Sequence, residues 1–138
     1  MFVVDTNIIS ELRKARAGKA NTGVTAWAKS VAAPAMFMSV ISLHELEHGV
    51  LLVEHRDPAQ GNLLRTWLDK GVVPAFERRI LDVTPEVARL SASFHLPNPA
   101  PFRDALIAAT AAINGMAVVT HNTRDFERFG VEIVDPWM

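Results

Sequence analysis

Near its start the sequence reads Phe2-Val3-Val4-Asp5-Thr6-Asn7, and this stretch decides the fold. Its three apolar residues have the character of a short buried strand. The polar residues that follow are a turn and helix-start signal, because such side chains cap the free backbone N–H groups of a first helical turn. We therefore predict a strand over 2–4 and a helix over Ile8 to Lys14, which together form one β–α unit.

The same alternation of strand and helix continues along the chain. Further strands are predicted at 36–38, 80–83, 117–119 and 131–134. Helices are predicted over 22–32, from Ser42 with Glu45 completing a capping box, from Pro58, from Thr84, and over 104–114. Strands separated by helices indicate the α/β class, with a mostly parallel sheet that is covered on both faces. Ligands of such sheets bind at the carboxyl ends of the strands.

The composition is that of a folded chain without cysteine chemistry. Of 138 residues, 49% are hydrophobic and 21% charged, a balance typical of globular domains. The absence of cysteine excludes a disulfide scaffold, thiol catalysis and a cysteine zinc site, and makes the reducing cytoplasm the expected location. Asp5 interrupts any signal peptide, and no apolar run is long enough to span a membrane. Because the formal net charge is −1, nucleic-acid binding would rest on a local arrangement of charge.

Four acidic residues lie close to strand ends or helix starts. They are Asp5 after the first strand, Glu45 in the helix after the second, Asp104 at the start of the helix before the fourth, and Asp125 after the fourth. At least three of these positions belong to one edge of a parallel sheet, where carboxylates repel one another unless a cation binds. Oxygen ligands select Mg²⁺ or Mn²⁺, which lowers the pKa of a bound water and neutralises charge on a phosphodiester. The acids therefore favour metal-assisted phosphodiester hydrolysis.

Each acid on its own also has an ordinary structural explanation. Asp5 is a common helix-cap residue, and Glu45 is the reciprocal partner of Ser42 in a capping box. Asp104 is favoured in a first helical turn by the helix dipole, and Asp125 suits a turn. Since four unrelated caps need not share one sheet edge, it is their joint placement that favours a site.

Four segments resemble the PIN-domain ribonucleases of the VapC type. They are Val3–Ser10, Ser39–Gly49, Asp104–Ala111 and Val119–Phe126, and they occur in the family's order and at its separations. The ending Asp135-Pro136-Trp137 is similar to FitB-like members. The resemblance covers residues 1–138 as a single PIN domain, and it implies a three-layer α/β/α sandwich with a mostly parallel central sheet.

The same resemblance implies an activity and partners. It implies the toxin of a type II toxin–antitoxin pair, an endoribonuclease that depends on Mg²⁺ or Mn²⁺ and leaves a 5′ phosphate and a 3′ hydroxyl. It implies a homodimer that is inhibited by a VapB-like antitoxin, contacts DNA only through that antitoxin and does not bind membranes. An antitoxin helix would dock in an apolar groove. Candidate residues for this groove, which could instead be ordinary core residues, are Leu46, Val50, Leu51, Leu63 and Trp67.

Residue by residue, Asp5, Glu45 and Asp104 match the three metal-binding acids of the family. The fourth position is Asn122, where many PIN domains have an acid, and Asp125 lies one turn later. We expect Asp5 and Asp104 to be the main ligands, with Glu45 and Asp125 completing the site or positioning the attacking water. Polar residues expected to orient the acids, or else to serve only as turn and cap residues, are Thr6, Asn7, Ser39, Thr120 and Asn122.

Two other functions compete with this interpretation. An aspartyl-nucleophile phosphoryl-transfer enzyme also has an acid after its first strand, but its second Asp would fall at Asn7. A PIN-like binding protein without catalysis is left open by Asn122. Basic residues that either contact RNA or form an ordinary solvated surface are Arg13, Lys14, Arg16, Lys19, Arg124 and Arg128.

The remaining aromatic and imidazole residues are expected to be structural. Trp27, Trp67 and Trp137 are predicted to pack in the core or in an interface rather than to stack on bases. The histidines lie in several elements without a metal-binding pattern such as HExxH, and surface or partly buried roles are expected for His44, His48, His55, His95 and His121.

Overall fold

A computed structural model describes all 138 residues. The five strands are β1 (Phe2–Val4), β2 (Met36–Ser39), β3 (Ile80–Leu81), β4 (Ala117–Val119) and β5 (Ile133–Val134). The α-helices are α1 (Thr6–Leu12), α2 (Thr22–Ser30), α3 (Val40–Arg56), α4 (Pro58–Thr66), α5 (Val73–Ala75), α6 (Pro85–Ser93), α7 (Phe102–Ile113) and α8 (Thr123–Glu127). None of these helices combines the length and the apolar character needed to cross a membrane.

The strands form one five-stranded sheet in the order β3-β2-β1-β4-β5, and every neighbouring pair is parallel. The predicted α/β class with a parallel sheet is therefore confirmed. From the central strand β1 the chain builds outward to β2 and β3 on one side, and later to β4 and β5 on the other. The point between β1 and β4 is thus a topological switch point, which is where open α/β sheets bind ligands.

Helices cover both faces of this sheet, as a three-layer sandwich requires. Successive residues of a strand point to opposite faces, so Val4 and Val119 join a core cluster with α1, α2 and α3, while Val3 and Val118 pack against α7 and α8. All of these valines are essentially buried. Because neighbouring residues of a strand face opposite layers, strands of only two to four residues contact both layers, and the apolar runs of the sequence are correspondingly short.

The start of α3 differs from the prediction. The helix begins at Val40, directly after β2, and its N-cap is Ser39, whose Oγ accepts a hydrogen bond from the Ile41 N–H at 3.0 Å. Ser42 lies inside the helix, is fully buried and has no hydrogen-bond partner for its Oγ. The capping box of Ser42 and Glu45 is therefore wrong, because the chain turns into the helix three residues earlier than the pattern indicates.

The C-terminal segment returns to the start of α2. Asn21 caps this helix through its Oδ1, and it also binds Met138 through both its Oδ1 and its Nδ2. Gly23 lies so close to this segment that an added Cβ would fall 2.2 Å from the carbonyl oxygen of Pro136. Only glycine fits here without a shift of the backbone, and the close contact holds residues 136–138 against the domain.

Candidate active site

Asp5 is at the centre of the site, at the carboxyl end of β1. It is the N-cap of α1, and its Oδ1 accepts a hydrogen bond from the Thr6 N–H at 2.7 Å. Its Oδ2 accepts from the Thr120 hydroxyl at 2.8 Å and from the Asn7 Nδ2 at 3.2 Å. The side chain is only 5% exposed. Asp5 is therefore both a helix cap and a buried, firmly oriented carboxylate at the switch point of the sheet.

Glu45 reaches the same place from the second turn of α3. Its Oε1 accepts a hydrogen bond from the Thr6 hydroxyl at 2.8 Å, which ties α1 to α3. Thr6 thus contacts two of the predicted acids, one through its backbone and one through its side chain. Such contacts fix the direction of the carboxylates before any ligand arrives.

Asp104 and Asp125 lie in the first turns of α7 and α8, and Asn122 joins them. The Nδ2 of Asn122 donates to Asp125 Oδ2 at 2.8 Å and to Asp104 Oδ2 at 3.3 Å. Its backbone N–H donates to the Thr120 hydroxyl at 2.9 Å. Asn122 therefore acts as a bridge between two acids, a role that an acid at this position could not perform.

Three of the predicted acids line one cavity of about 540 Å³, and the fourth, Asp125, does not. The residues that line the cavity are Asp5, Thr6, Asn7, Ser10, Glu11, Arg13, Lys14, Glu45, Asp104, His121, Asn122 and Trp137. A second cavity of about 470 Å³ adjoins it at Glu45, Asp104 and Asn122, and the exposed Phe102 lines that cavity. Asp125 lines neither of these cavities and reaches the site through Asn122.

The proximity of the carboxylates changes their acidity. Burial, together with the charges of Asp5, Asp125 and Glu45, raises the pKa of Asp104 to about 6, and Arg103 offsets this only in part. Burial also raises the pKa of Asp5, although its hydrogen bonds from Thr120 and Thr6 oppose the shift. The site therefore holds negative charge at a cost in free energy, and a bound cation would lower that cost.

Not every predicted site residue takes part. Ser39 is fully buried, and its hydroxyl caps α3 instead of contacting an acid. Among the basic candidates, Arg13 and Lys14 line the cavity, with Lys14 paired to Glu11 at 3.0 Å. Arg128 instead donates to backbone carbonyls of the 94–99 loop, so its role is structural.

The sequence interpretation missed one wall of the cavity, which is formed by His121 and Trp137. Trp137 does pack partly on the core, as predicted, but it also lines the cavity beside the acids. His121 stacks on it, with ring centroids 4.3 Å apart. Only the path of the C-terminal segment brings these rings together, and the single available hint was that His121 directly follows Thr120.

The donor set fits a hard dication, and its geometry limits how one would be held. The side-chain oxygens of Asp5, Glu45, Asp104 and Asn122 line one cavity without any sulfur ligand. No group of three or more His, Asp or Glu side chains is arranged so that all of them could ligate one ion. Mg²⁺ usually keeps several waters and is held by one or two carboxylates, so a site of this kind would use no more than two of these acids as direct ligands.

Comparison with known proteins agrees with the fold. The PIN domain model matches residues 2–132. The VapC ribonuclease Y4jK of Sinorhizobium fredii is 32% identical over 99% of this chain and 98% of its own length. Toxin FitB of Neisseria gonorrhoeae is 30% identical, with 99% of both chains covered. A chain in the crystal structure of FitAcB from Neisseria gonorrhoeae is 30% identical and superimposes with a TM-score of 0.89 over 99% of both chains.

The fold is an open α/β sheet with acidic residues at its switch point. The match to the family model shows to which family of α/β proteins the chain belongs. The chain belongs to the PIN domain family. A DNA-bound VapBC from Salmonella typhimurium is also similar, at 26% identity and a TM-score of 0.68 over 97% of this chain and 96% of that one. The predicted resemblance to VapC- and FitB-type proteins is therefore confirmed.

Proposed function

We propose that this protein is the toxin of a VapBC- or FitAB-like toxin–antitoxin pair and that it is a metal-dependent endoribonuclease. The observation that carries the proposal is the convergence of Asp5, Glu45 and Asp104 on one cavity at the switch point of the sheet. The relatives named VapC ribonuclease and Toxin FitB, which match along nearly the whole chain, support it.

In the proposed mechanism Asp5 and Asp104 would hold Mg²⁺ or Mn²⁺, directly or through water, and Glu45 would complete the site or position the attacking water. When bound, the cation lowers the pKa of a water and neutralises charge on the scissile phosphodiester. In the hydrolysis that we propose, a water oxygen would bond to phosphorus and the bond from phosphorus to O3′ would break; the water gives up one proton and O3′ takes up one, so the step balances. The products are a 5′ phosphate and a 3′ hydroxyl.

The other polar residues orient the acids. Thr120 and Asn7 hold Asp5 by their hydrogen bonds, and Thr6 joins Asp5 to Glu45. Asn122 holds Asp104 and also Asp125. Asp125 is therefore assigned a positioning role, because it acts on the cavity through Asn122 and does not line it.

The antitoxin partner is proposed from an apolar groove that leads toward the acids. A cavity of about 230 Å³ lies between β1, α1 and the 67–76 segment, and eight of its ten lining residues are hydrophobic, Trp67 among them. A neighbouring cavity of about 220 Å³ shares Arg13 and Trp67 and extends to Thr6 and Glu45. We propose that an antitoxin segment binds here and that DNA is contacted only through the antitoxin.

The docking candidates divide along this groove. Leu46, Val50 and Trp67 line the part nearest the acids, although Leu46 and Val50 are themselves buried. Leu51 and Leu63 are exposed and line neither part of the groove. We propose a homodimer as the toxin's own state, which the molar mass in solution would test.

The ribonuclease proposal is tested with purified protein and RNA, with Mg²⁺ or Mn²⁺ and then with EDTA. We expect cleavage only with a dication, 5′ phosphate ends, and a loss of about 10²-fold or more in Asp104→Asn, because a ligand charge is removed. Glu132→Gln is the matched control, since Glu132 is exposed and precedes β5 at the opposite edge of the sheet.

Two outcomes would contradict the proposal. One is an Asp104→Asn protein that cuts RNA at the wild-type rate. The other is a wild-type protein that neither binds Mn²⁺ nor cuts RNA, which would favour a PIN-like binding protein without catalysis. In cells, expression of the wild type should arrest growth, whereas cells that express Asp104→Asn should grow normally.

A further inference from the structure

One wall of the acidic cavity is a stack of two rings. His121 and Trp137 line the cavity together with the acids, and Trp137 is its one hydrophobic lining residue. Their ring centroids are 4.3 Å apart and their planes differ by 24°. Trp137 packs partly on the core, whereas 55% of the His121 side chain is exposed. The stack therefore offers a supported, accessible ring directly beside the carboxylates.

Hydrogen bonds fix the position of the His121 ring. Its Nδ1 lies 3.3 Å from Asp135 Oδ1, and the same oxygen accepts from the Trp137 N–H at 3.0 Å. The backbone N–H of His121 donates to Asn7 Oδ1 at 3.3 Å, and Asn7 in turn donates to Asp5. The ring is thus held at a set place relative to Asp5, so little conformational entropy is lost when a ligand binds to it.

The second ring is held in place by the C-terminal segment. Asn21 Nδ2 donates to the Met138 carbonyl oxygen at 2.8 Å, and the Met138 N–H donates back to Asn21 Oδ1 at 3.1 Å. The close approach of Gly23 to the Pro136 carbonyl fixes the residue on the other side of Trp137. The rings are therefore a built surface and not two mobile side chains that happen to touch.

We propose that the stack of His121 on Trp137 binds an unpaired base of the RNA next to the scissile phosphate. This inference rests on the proposed ribonuclease function and adds two residues that position the substrate beside the acids. Flat rings beside a phosphate site bind bases by stacking, with little dependence on sequence, because every base has an aromatic face. In a duplex those faces are covered by neighbouring bases, so only an unpaired base can reach the ring. The exposed Arg13, which lines the same cavity, is available to a phosphate of the bound strand.

The test measures binding without catalysis. A labelled single-stranded RNA of roughly ten nucleotides, about the reach of one such surface and its flanks, is titrated with the protein in EDTA and followed by fluorescence anisotropy. His121→Ala should weaken binding about 5- to 100-fold, whereas His121→Phe, which keeps a ring on Trp137, should stay close to wild type. His55→Ala is the matched control, because His55 is an exposed histidine at the end of α3.

Three results would overturn the inference. They are wild-type affinity in His121→Ala, an equal loss in His121→Phe and His121→Ala, and equally tight binding of the same strand when it is paired with its complement. The variants are made at His121 because its exposed side chain can be truncated without opening the core, unlike that of Trp137.

Cleavage kinetics separate this inference from the ribonuclease proposal. With Mg²⁺ or Mn²⁺, His121→Ala should raise KM by a factor similar to its loss of affinity and leave kcat nearly unchanged, which supports a positioning role. If the wild type cuts RNA but His121→Ala changes neither KM nor affinity, the stacking surface is refuted and the ribonuclease stands. If single-stranded RNA binds through His121 but is never cut, the ribonuclease fails and the stacking surface stands.

Discussion

The molecule has two clusters of acidic side chains, and they differ in what neutralises their charge. Between α3 and α4, Arg65 pairs with Glu47 at 2.5 Å, with Glu54 at 3.0 Å and with Asp69 at 3.4 Å. The hydrogen bond from Arg65 lowers the pKa of Glu47, and both glutamates raise the pKa of Arg65. This cluster is satisfied by a residue of the chain itself.

At the sheet edge the opposite holds. None of the ion pairs in the structure involves Asp5, Glu45, Asp104 or Asp125. The pKa of Asp104 is raised to about 6 by burial and by the neighbouring carboxylates, and only Arg103 acts against this. The acids with their own counter-charge join α3 to α4, whereas the acids at the sheet edge have no counter-charge within the chain, which is where the proposed cation would act.

The largest expected difference between the two clusters is that a bound metal ion stabilises the fold through the acids at the sheet edge. A dication at one hundred times its Kd should stabilise the fold by about 2.7 kcal/mol. For a chain of this length that corresponds to a rise in melting temperature of roughly 8 °C. Differential scanning fluorimetry with Mn²⁺ measures it, and Asp104→Asn should lose most of the rise. If Mn²⁺ leaves the melting temperature of the wild type unchanged, the contrast between the clusters has no functional meaning.

A smaller effect of opposite sign is expected from Asp104→Asn without metal. A pKa of about 6, against 3.8 for an ordinary Asp, corresponds to about 3 kcal/mol of repulsion and desolvation. Because the side chain is only half-buried, we expect relief of about 1–2 kcal/mol at pH 7. Metal-free Asp104→Asn should therefore unfold at a higher urea concentration than metal-free wild type.

The pH dependence of that difference follows from the direction of the shift. Below about pH 4, Asp104 is protonated in both the folded and the unfolded chain, and the variant has no advantage. As pH rises from about 4 to about 6, the unfolded chain loses the Asp104 proton while the folded wild type keeps it, so wild-type stability falls relative to Asp104→Asn and levels off above about pH 6. A stability difference that shrinks as pH increases over this window would contradict the assignment.

The smallest effect is expected at the cluster in which Arg65 neutralises the acidic side chains. Arg65→Met keeps most of the side-chain length and removes the charge that neutralises Glu47 and Glu54. We expect the melting temperature to fall by a few degrees at low salt and by less at high salt, because these side chains are partly exposed. RNA cleavage by the folded Arg65→Met protein, measured below its melting temperature, should be unaffected. A loss of cleavage as large as that of Asp104→Asn would show that the two clusters are not independent.

The placement of the acids was predictable from the sequence because it depends on local rules. A strand that stops at Asp5 and a helix that starts at Thr6 put a carboxylate at the carboxyl end of β1. Parallel pairing then brings Thr120, after β4, to the same edge. Which strands become neighbours does not follow from such local rules. It is set by packing between segments that are far apart in the sequence.

What failed depended on tertiary contacts. The Ser42 and Glu45 pattern satisfies a capping rule, yet Ser42 is buried because α3 starts directly at the end of β2. The sequence pattern indicates a helix from Pro58 but not its change to π-helical hydrogen bonding over Trp67–Val72, between α4 and α5. Trp137 lines the acidic cavity because Gly23 allows the C-terminal segment to lie next to α2, a contact between residues far apart in the sequence.

The two outermost strands, β3 and β5, are only two residues long. A sheet margin this short exposes very few free backbone N–H and C=O groups, so another chain finds almost nothing on which to extend the sheet. Self-association by strand addition is therefore disfavoured at both margins of the sheet. A protein partner finds little free backbone to pair with there, and helices and side chains offer it the larger surface.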